Sequence, residues 1–149
     1  VICSRFHPDS PQLRTPMDRL LLNRVFAHIV SEVTGWTVTD ARSGFMGFPF
    51  AHVQAIAPSL IVERYGIPIE LLLRLWHRKH DAKIAEIPHP ARYGGNLPEK
   101  YRGRYEPGGE TFEEKGARCA DAYTAILRVL NDLGISESTA FSGMQHEQR

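Results

Sequence analysis

Three segments of this chain read as strands, and all are short: residues 1–4, a stretch within 36–50, and residues 83–88. Against them stand four or five helical segments. An open sheet generally needs more strands than this to be stable. The expectation is therefore an α/β chain holding part of an open sheet flanked by helices, with the missing strands preceding Val1. The opening Val-Ile-Cys-Ser-Arg reads as a buried strand already under way, so the chain reads as a fragment.

Composition limits what such a chain can do. With 149 residues, 42% of them hydrophobic and 23% charged, it can enclose a core and does not read as disordered. Eighteen Lys and Arg against seventeen Asp and Glu leave +1. That excludes strong nonspecific attraction to nucleic acid or anionic lipid, so any basic site must be local. Cys3 and Cys119 fit neither a zinc pattern nor a disulfide framework, which points to a cytoplasmic setting. The longest apolar runs fall far short of the roughly 20 residues that span a bilayer.

The clearest helix runs from Thr15, read as N-cap, through Pro16 at the first helical position to a stop at Gly35. Leu22, Val25, Phe26, Ile29 and Val33 form its expected apolar face. A short helix is expected over 51–57, and another from Pro68 carries Ile69, Leu72, Leu75 and Trp76 on one side. Residues 83–88 alternate like a half-buried strand that Pro88 closes or places on an edge. Residues 89–110 read as a loop long enough to suggest a binding role. Thr111-Phe112-Glu113-Glu114 fits a capping box, with Ala117, Ala120, Ile126, Val129, Leu130 and Leu133 facing inward up to Gly134. The domain is thus expected over 1–134, with 135–149 a polar tail expected to be disordered.

The segment Thr39-Asp40-Ala41-Arg42-Ser43-Gly44-Phe45 brings a carboxylate, a cation, a hydroxyl and a flexible turn into one loop. Asp40 can serve as a general base or orient an acceptor, Arg42 can neutralise phosphate, and Gly44 permits close backbone approach. Plain turn chemistry accounts for the same residues. Arg5 follows the first strand, where open α/β sheets bind ligands, and Arg19 lies in the first turn of the next helix. Both can converge on an anion; solvated arginines, or salt bridges to Asp9 or Asp18, are the alternative. His77 and His80 lack further ligands for a metal, so no metal site is assigned in this chain. Arg92, Tyr93 and the cations and rings that follow up to Tyr105 suit nucleic acid or a phosphate-bearing lipid or sugar, unless the loop is merely solvated.

In order, these pieces resemble the C-terminal half of family 2 glycosyltransferases of the Rossmann-like GT-A fold, particularly the polyprenyl-phosphate and dolichyl-phosphate sugar synthases. Cys3-Ser4-Arg5-Phe6 is similar to the family's Gly-Ser-Arg-aromatic, followed by Arg19 and Asn23 at similar spacing. Residues 39–45 resemble its Thr-Asp-x-x-Ser-Gly-Phe loop, and Ala85-Glu86-Ile87-Pro88 its Glu-Val-Pro strand. The segment from Gly66 to Leu73, with Glu70, resembles the stretch before the family's penultimate helix.

The resemblance implies an inverting transfer of a sugar from a nucleotide-sugar donor to a phosphorylated lipid or other small acceptor. It implies Asp40 at the junction of donor and acceptor, with Arg5, Arg19, Asn23, Arg42, Ser43, Gly44, Arg92 and Tyr93 around the acceptor phosphate. A divalent ion, Mg or Mn, belongs to the complete enzyme and is held mainly by the N-terminal half that carries the family's Asp-x-Asp motif. The chain alone is then inactive, works at the cytoplasmic face of a membrane if its acceptor is a lipid, and has homo-oligomerisation open to it. The alternative from another class is a non-catalytic module that binds nucleic acid or anionic lipid; the net charge disfavours nucleic acid.

Overall fold

The computed structural model describes residues 1–11, 15–79, 81–90 and 111–135. It is mixed α/β, mostly helical, around one small parallel pair of strands. β1 (Ile2–Ser4) pairs in parallel with β2 (Glu86–Pro88), placing Ile2 opposite Glu86 and Ser4 opposite Pro88. Across the other edge of β1, an antiparallel bridge joins Ile2 to Met46, flanked by Cys3 N–H to the Phe45 carbonyl at 3.0 Å and Gly47 N–H to the Val1 carbonyl at 2.9 Å. The strand expected within 36–50 is thus reduced to a single bridge. Residues 83–87 alternate in exposure, Pro88 breaks the alternation, and only the last three of 83–88 pair as a strand.

Helix α1 (Met17–Thr34) starts later than its sequence suggests. Pro16 is the N-cap, with no side-chain cap, and the Thr15 hydroxyl oxygen is enclosed without a hydrogen-bond partner among the described residues. Gly35 does end the helix, at φ 70°. The inward face is rotated from the expected one: Asn23, Phe26, Ala27, Val30, Val33 and Thr34 are buried, whereas Val25 is 54% exposed. Polar Asn23 and Thr34 mark part of that face, so a pattern of large apolar residues alone misplaces it.

Helix α2 (Phe50–Ile56) runs into a 3-10 turn, Ala57–Ser59. Helix α3 (Ile67–Arg78) buries Ile69, Leu72, Leu73 and Leu75, much as its spacing predicts. Helix α4 (Phe112–Asp132) opens on the expected capping box, since Thr111 Oγ1 accepts from Glu114 N–H at 3.1 Å and Glu114 Oε2 accepts from Thr111 N–H at 2.8 Å. It ends in a Schellman arrangement: Gly134, at φ 70°, donates to the Asn131 carbonyl, and Ile135 donates to that of Leu130. Ala117 and Ala120 are exposed, and the inward positions of the first turns belong instead to Arg118 and Ala122.

One core joins these elements: Ile2 of β1, Phe26 and Val30 of α1, Leu72 and Leu73 of α3, and Ile126 and Val129 of α4 all belong to it. No helix among the described residues is long and apolar enough to cross a membrane. Helix α4 ends at Asp132, and of the tail expected over 135–149 only Ile135 is among the described residues.

Candidate anion site at the strand ends

Because β1 and β2 are parallel, their carboxyl ends open on the same rim, and the chain leaves β1 there as Arg5. The loop 39–45 is held against that rim by buried polar groups. Glu86 of β2 accepts from Thr39 N–H at 2.9 Å, from the Thr39 hydroxyl, and from Asp40 N–H at 3.3 Å. Since the Thr39 hydroxyl hydrogen goes to Glu86, the Ser4 hydroxyl must donate to Thr39 Oγ1 across their 2.6 Å contact. Asn23 of α1 donates to the Thr39 carbonyl at 2.7 Å, and its own Oδ1 is enclosed without a partner among the described residues. The Ser43 hydroxyl donates to the Cys3 carbonyl at 2.8 Å and accepts from Phe45 N–H at 3.2 Å.

This scaffold presents Asp40 to Arg5. Arg5 Nε meets Asp40 Oδ2 at 2.7 Å and its Nη2 meets Oδ1 at 2.9 Å, a two-point fork, while Arg5 N–H donates to Oδ2 at 3.1 Å. Arg42 N–H adds a bond to Oδ1 at 3.3 Å. Asp40 is 0% exposed and the Arg5 side chain 30%, so the pair is enclosed on the carboxylate side and open on the guanidinium side. Both oxygens of Asp40 are occupied by donors. The carboxylate therefore serves first to aim Arg5 and fix the plane of its guanidinium at the rim.

Arg42 sits next to this pair with its guanidinium carbon 5.2 Å from the centre of the Phe26 ring. Its Nε is enclosed without a hydrogen-bond partner among the described residues. Burial pushes the Arg42 pKa below its ordinary value, and the positive charges of Arg118, Arg19 and Arg5 push it the same way against a smaller opposing effect of Cys119. Arg5 and Arg19, distant in sequence, thus each lie close enough to act on Arg42. Arg19 is half-buried on the first turn of α1. Of the expected salt bridges to Asp9 or Asp18, Arg5 is instead paired with Asp40, and Asp18 meets Lys115 at 3.5 Å.

The other predicted residues divide. Asn23 and Ser43 belong to the scaffold that shapes the loop. Gly44 is exposed, and a Cβ there would meet nothing within 4 Å, so no atom of the described residues requires a glycine. Arg92 and Tyr93 lie outside the described residues. Glu86 and Thr39, which hold the loop in place, carry no sequence signal of that role beyond their positions in Ala85-Glu86-Ile87-Pro88 and Thr39-Asp40-Ala41-Arg42-Ser43-Gly44-Phe45. A groove lined by Phe6, Leu20, Arg24, Ala27 and Thr39, among others, runs along α1 beside the rim. No group of three or more His, Cys, Asp or Glu residues that could hold a metal occurs among the described residues.

No known family model, curated protein or solved structure matches this chain.

Proposed function

We propose that this chain is the acceptor-side portion of an inverting glycosyltransferase with a partial GT-A fold, whose acceptor bears an ionised phosphate. The observation that carries the reading is the fork of Arg5 on the enclosed Asp40, with Arg42 donating its N–H to the same carboxylate, at the carboxyl ends of a parallel strand pair. Ligands of open α/β sheets bind at that end of the strands. An oxygen of a phosphate held beside Arg5 attacks the anomeric carbon of a nucleotide sugar. The new bond is oxygen to carbon, the bond from carbon to the nucleotide diphosphate breaks, and the diphosphate leaves with the electron pair. An ionised phosphate needs no general base, which fits an Asp40 whose two oxygens already hold four donors. Arg5 and its neighbours hold the acceptor in line for attack, a positioning effect. The groove along α1 suits the apolar part of a lipid-linked acceptor.

The described residues offer no cluster for the divalent ion that the resemblance implies, and no step is assigned to it in this chain. The donor and the remaining strands belong to the rest of the proposed enzyme.

Farnesyl phosphate provides the test. Titrated into the 149-residue chain at 0.15 M salt, it is expected to bind saturably, and R5Q to weaken it by about tenfold, the value of one charge-assisted hydrogen bond. Failure to bind, or binding indifferent to R5Q, overturns the reading. Tight, steeply salt-dependent binding of duplex DNA in its place favours the nucleic-acid module.

A further inference from the structure

At the amino end of β1, on the order of 10 Å back along the chain from the Arg5 rim, a cavity of about 190 Å³ opens beside Ile2. Its inner surface is apolar. Leu72 and Leu75 of α3, with Phe48 and Ile84, form the walls, and Ile2 and Leu72 are core residues at 1% and 0% exposure. Around that surface stand half-buried His52 of α2, Lys79 just after α3, and Lys83 shortly before β2. None of the lining residues is acidic. Asp81, between the two lysines in sequence, is exposed and does not line the cavity. The side chains of His52, Lys79 and Lys83 have no hydrogen-bond or ion-pair partner among the described residues. The backbone that carries the lysines is nonetheless pinned: Ala82, also in the wall, donates its N–H to the Lys79 carbonyl at 2.9 Å, and its carbonyl accepts from Trp36 Nε1 at 3.0 Å.

Size and charge together select a ligand. An apolar cavity of roughly 150 Å³ holds one benzene ring, so this one has room for a ring and a small substituent. Ammonium groups gathered at one mouth repel each other, and a compact anion between them removes that repulsion. The His52 imidazole donates an N–H in either charge state. We propose that the cavity is a binding site for a small aromatic carboxylate, its ring against Ile2, Leu72 and Phe48 and its carboxylate among Lys79, Lys83 and His52. The site is separate from the phosphate rim and stands whether or not the transferase reading does.

Benzoate is the probe. In calorimetric titration of the 149-residue chain at 0.15 M salt, it is expected to bind saturably at one site with a Kd of about 1 mM. Benzamide, which keeps the ring and loses the charge, and acetate, which keeps the charge and loses the ring, should each bind at least about tenfold more weakly. The double variant K79Q/K83Q should weaken benzoate by about tenfold, and Ala82→Phe, which fills the cavity, should abolish binding. R5Q should leave benzoate affinity unchanged. Absence of saturable binding means that the lysine stems merely cover apolar surface, and overturns the site. Acetate binding as tightly as benzoate reduces it to a surface attraction for anions and overturns the aromatic assignment. Affinity that survives K79Q/K83Q within about threefold overturns the proposal whether or not Ala82→Phe folds, and a loss in R5Q alone moves benzoate to the other rim and overturns it too.

Discussion

Asp40 is the residue whose meaning changes most between sequence and fold. Its place beside Ser43 and Gly44 reads equally as base or turn, and local chemistry does not separate them. The fold places it at 0% exposure with Arg5 forked across both oxygens. D40N keeps the shape but gives Arg5 an amide where it had a charge; we expect a loss of about 1–3 kcal/mol in urea unfolding. The same variant in the proposed complete enzyme should lower sugar transfer by loosening Arg5, with KM for the acceptor rising more than kcat falls. A loss confined to kcat would instead make the carboxylate a base. Arg42 is expected to behave in the opposite sense. Burial and the charges of Arg118, Arg19 and Arg5 lower its pKa in the fold. A base depressed in the folded state costs stability at every pH below the folded value, and the cost fades only as pH rises through it. In anion-free buffer R42Q should be as stable as wild type or more so, the lost contact with Phe26 offsetting about 0.5–1 kcal/mol of the gain. A denaturant midpoint well below wild type would show that the guanidinium already has a stabilising partner.

Among the elements, α3 is tied down by a carboxylate rather than by apolar contact alone. Glu70, 0% exposed, accepts from Ile61 N–H and Val62 N–H at 2.9 Å each and from Arg74 Nε at 2.7 Å, and Arg74 goes on to Asp132 of α4 at 2.7 Å. Burial alone would lower the Arg74 pKa, but the hydrogen bonds to Glu70 and Asp132 raise it. One side chain thus fixes the segment before α3 and, through Arg74, the end of α4. E70A leaves two backbone donors without their partner and should cost about 3–5 kcal/mol by chemical denaturation. Gly66, just ahead of α3, has no room for a methyl group: a Cβ there would lie 2.3 Å from Val62 Cγ1 and 2.6 Å from the Ala125 Cβ. G66A should therefore destabilise by about 1–3 kcal/mol, whereas G44A, facing open space, should unfold like wild type. If G44A nonetheless weakens farnesyl phosphate binding, the ligand passes over that loop.

The whole molecule hangs on one core shared by β1, α1, α3 and α4, so it should unfold as a unit. Trp36, whose Nε1 donates to the Ala82 carbonyl at 3.0 Å, and half-buried Trp76 both pack against that core. Tryptophan fluorescence and far-UV circular dichroism should report one coincident urea transition; two transitions would divide the core. Much of this architecture could be read from the chain. The capping box at Thr111, the stops at Gly35 and Gly134, and the apolar side of α3 depend on neighbours within a turn or two, and such signals are written locally. The rotated face of α1 could not be read so, because it is defined by Asn23 reaching the Thr39 carbonyl and Thr34 capping its own turn. Nor could the inward turn of α4, where an arginine takes a place that periodicity assigns to alanine. Local spacing specifies where elements start, stop and turn their apolar sides. Which polar groups meet is a matter of long-range approach: Arg5 to Asp40, Glu86 to Thr39, and Arg74 to Asp132 are brought together only when strands and helices dock, since electrostatic energy depends on distance in space and not along the chain.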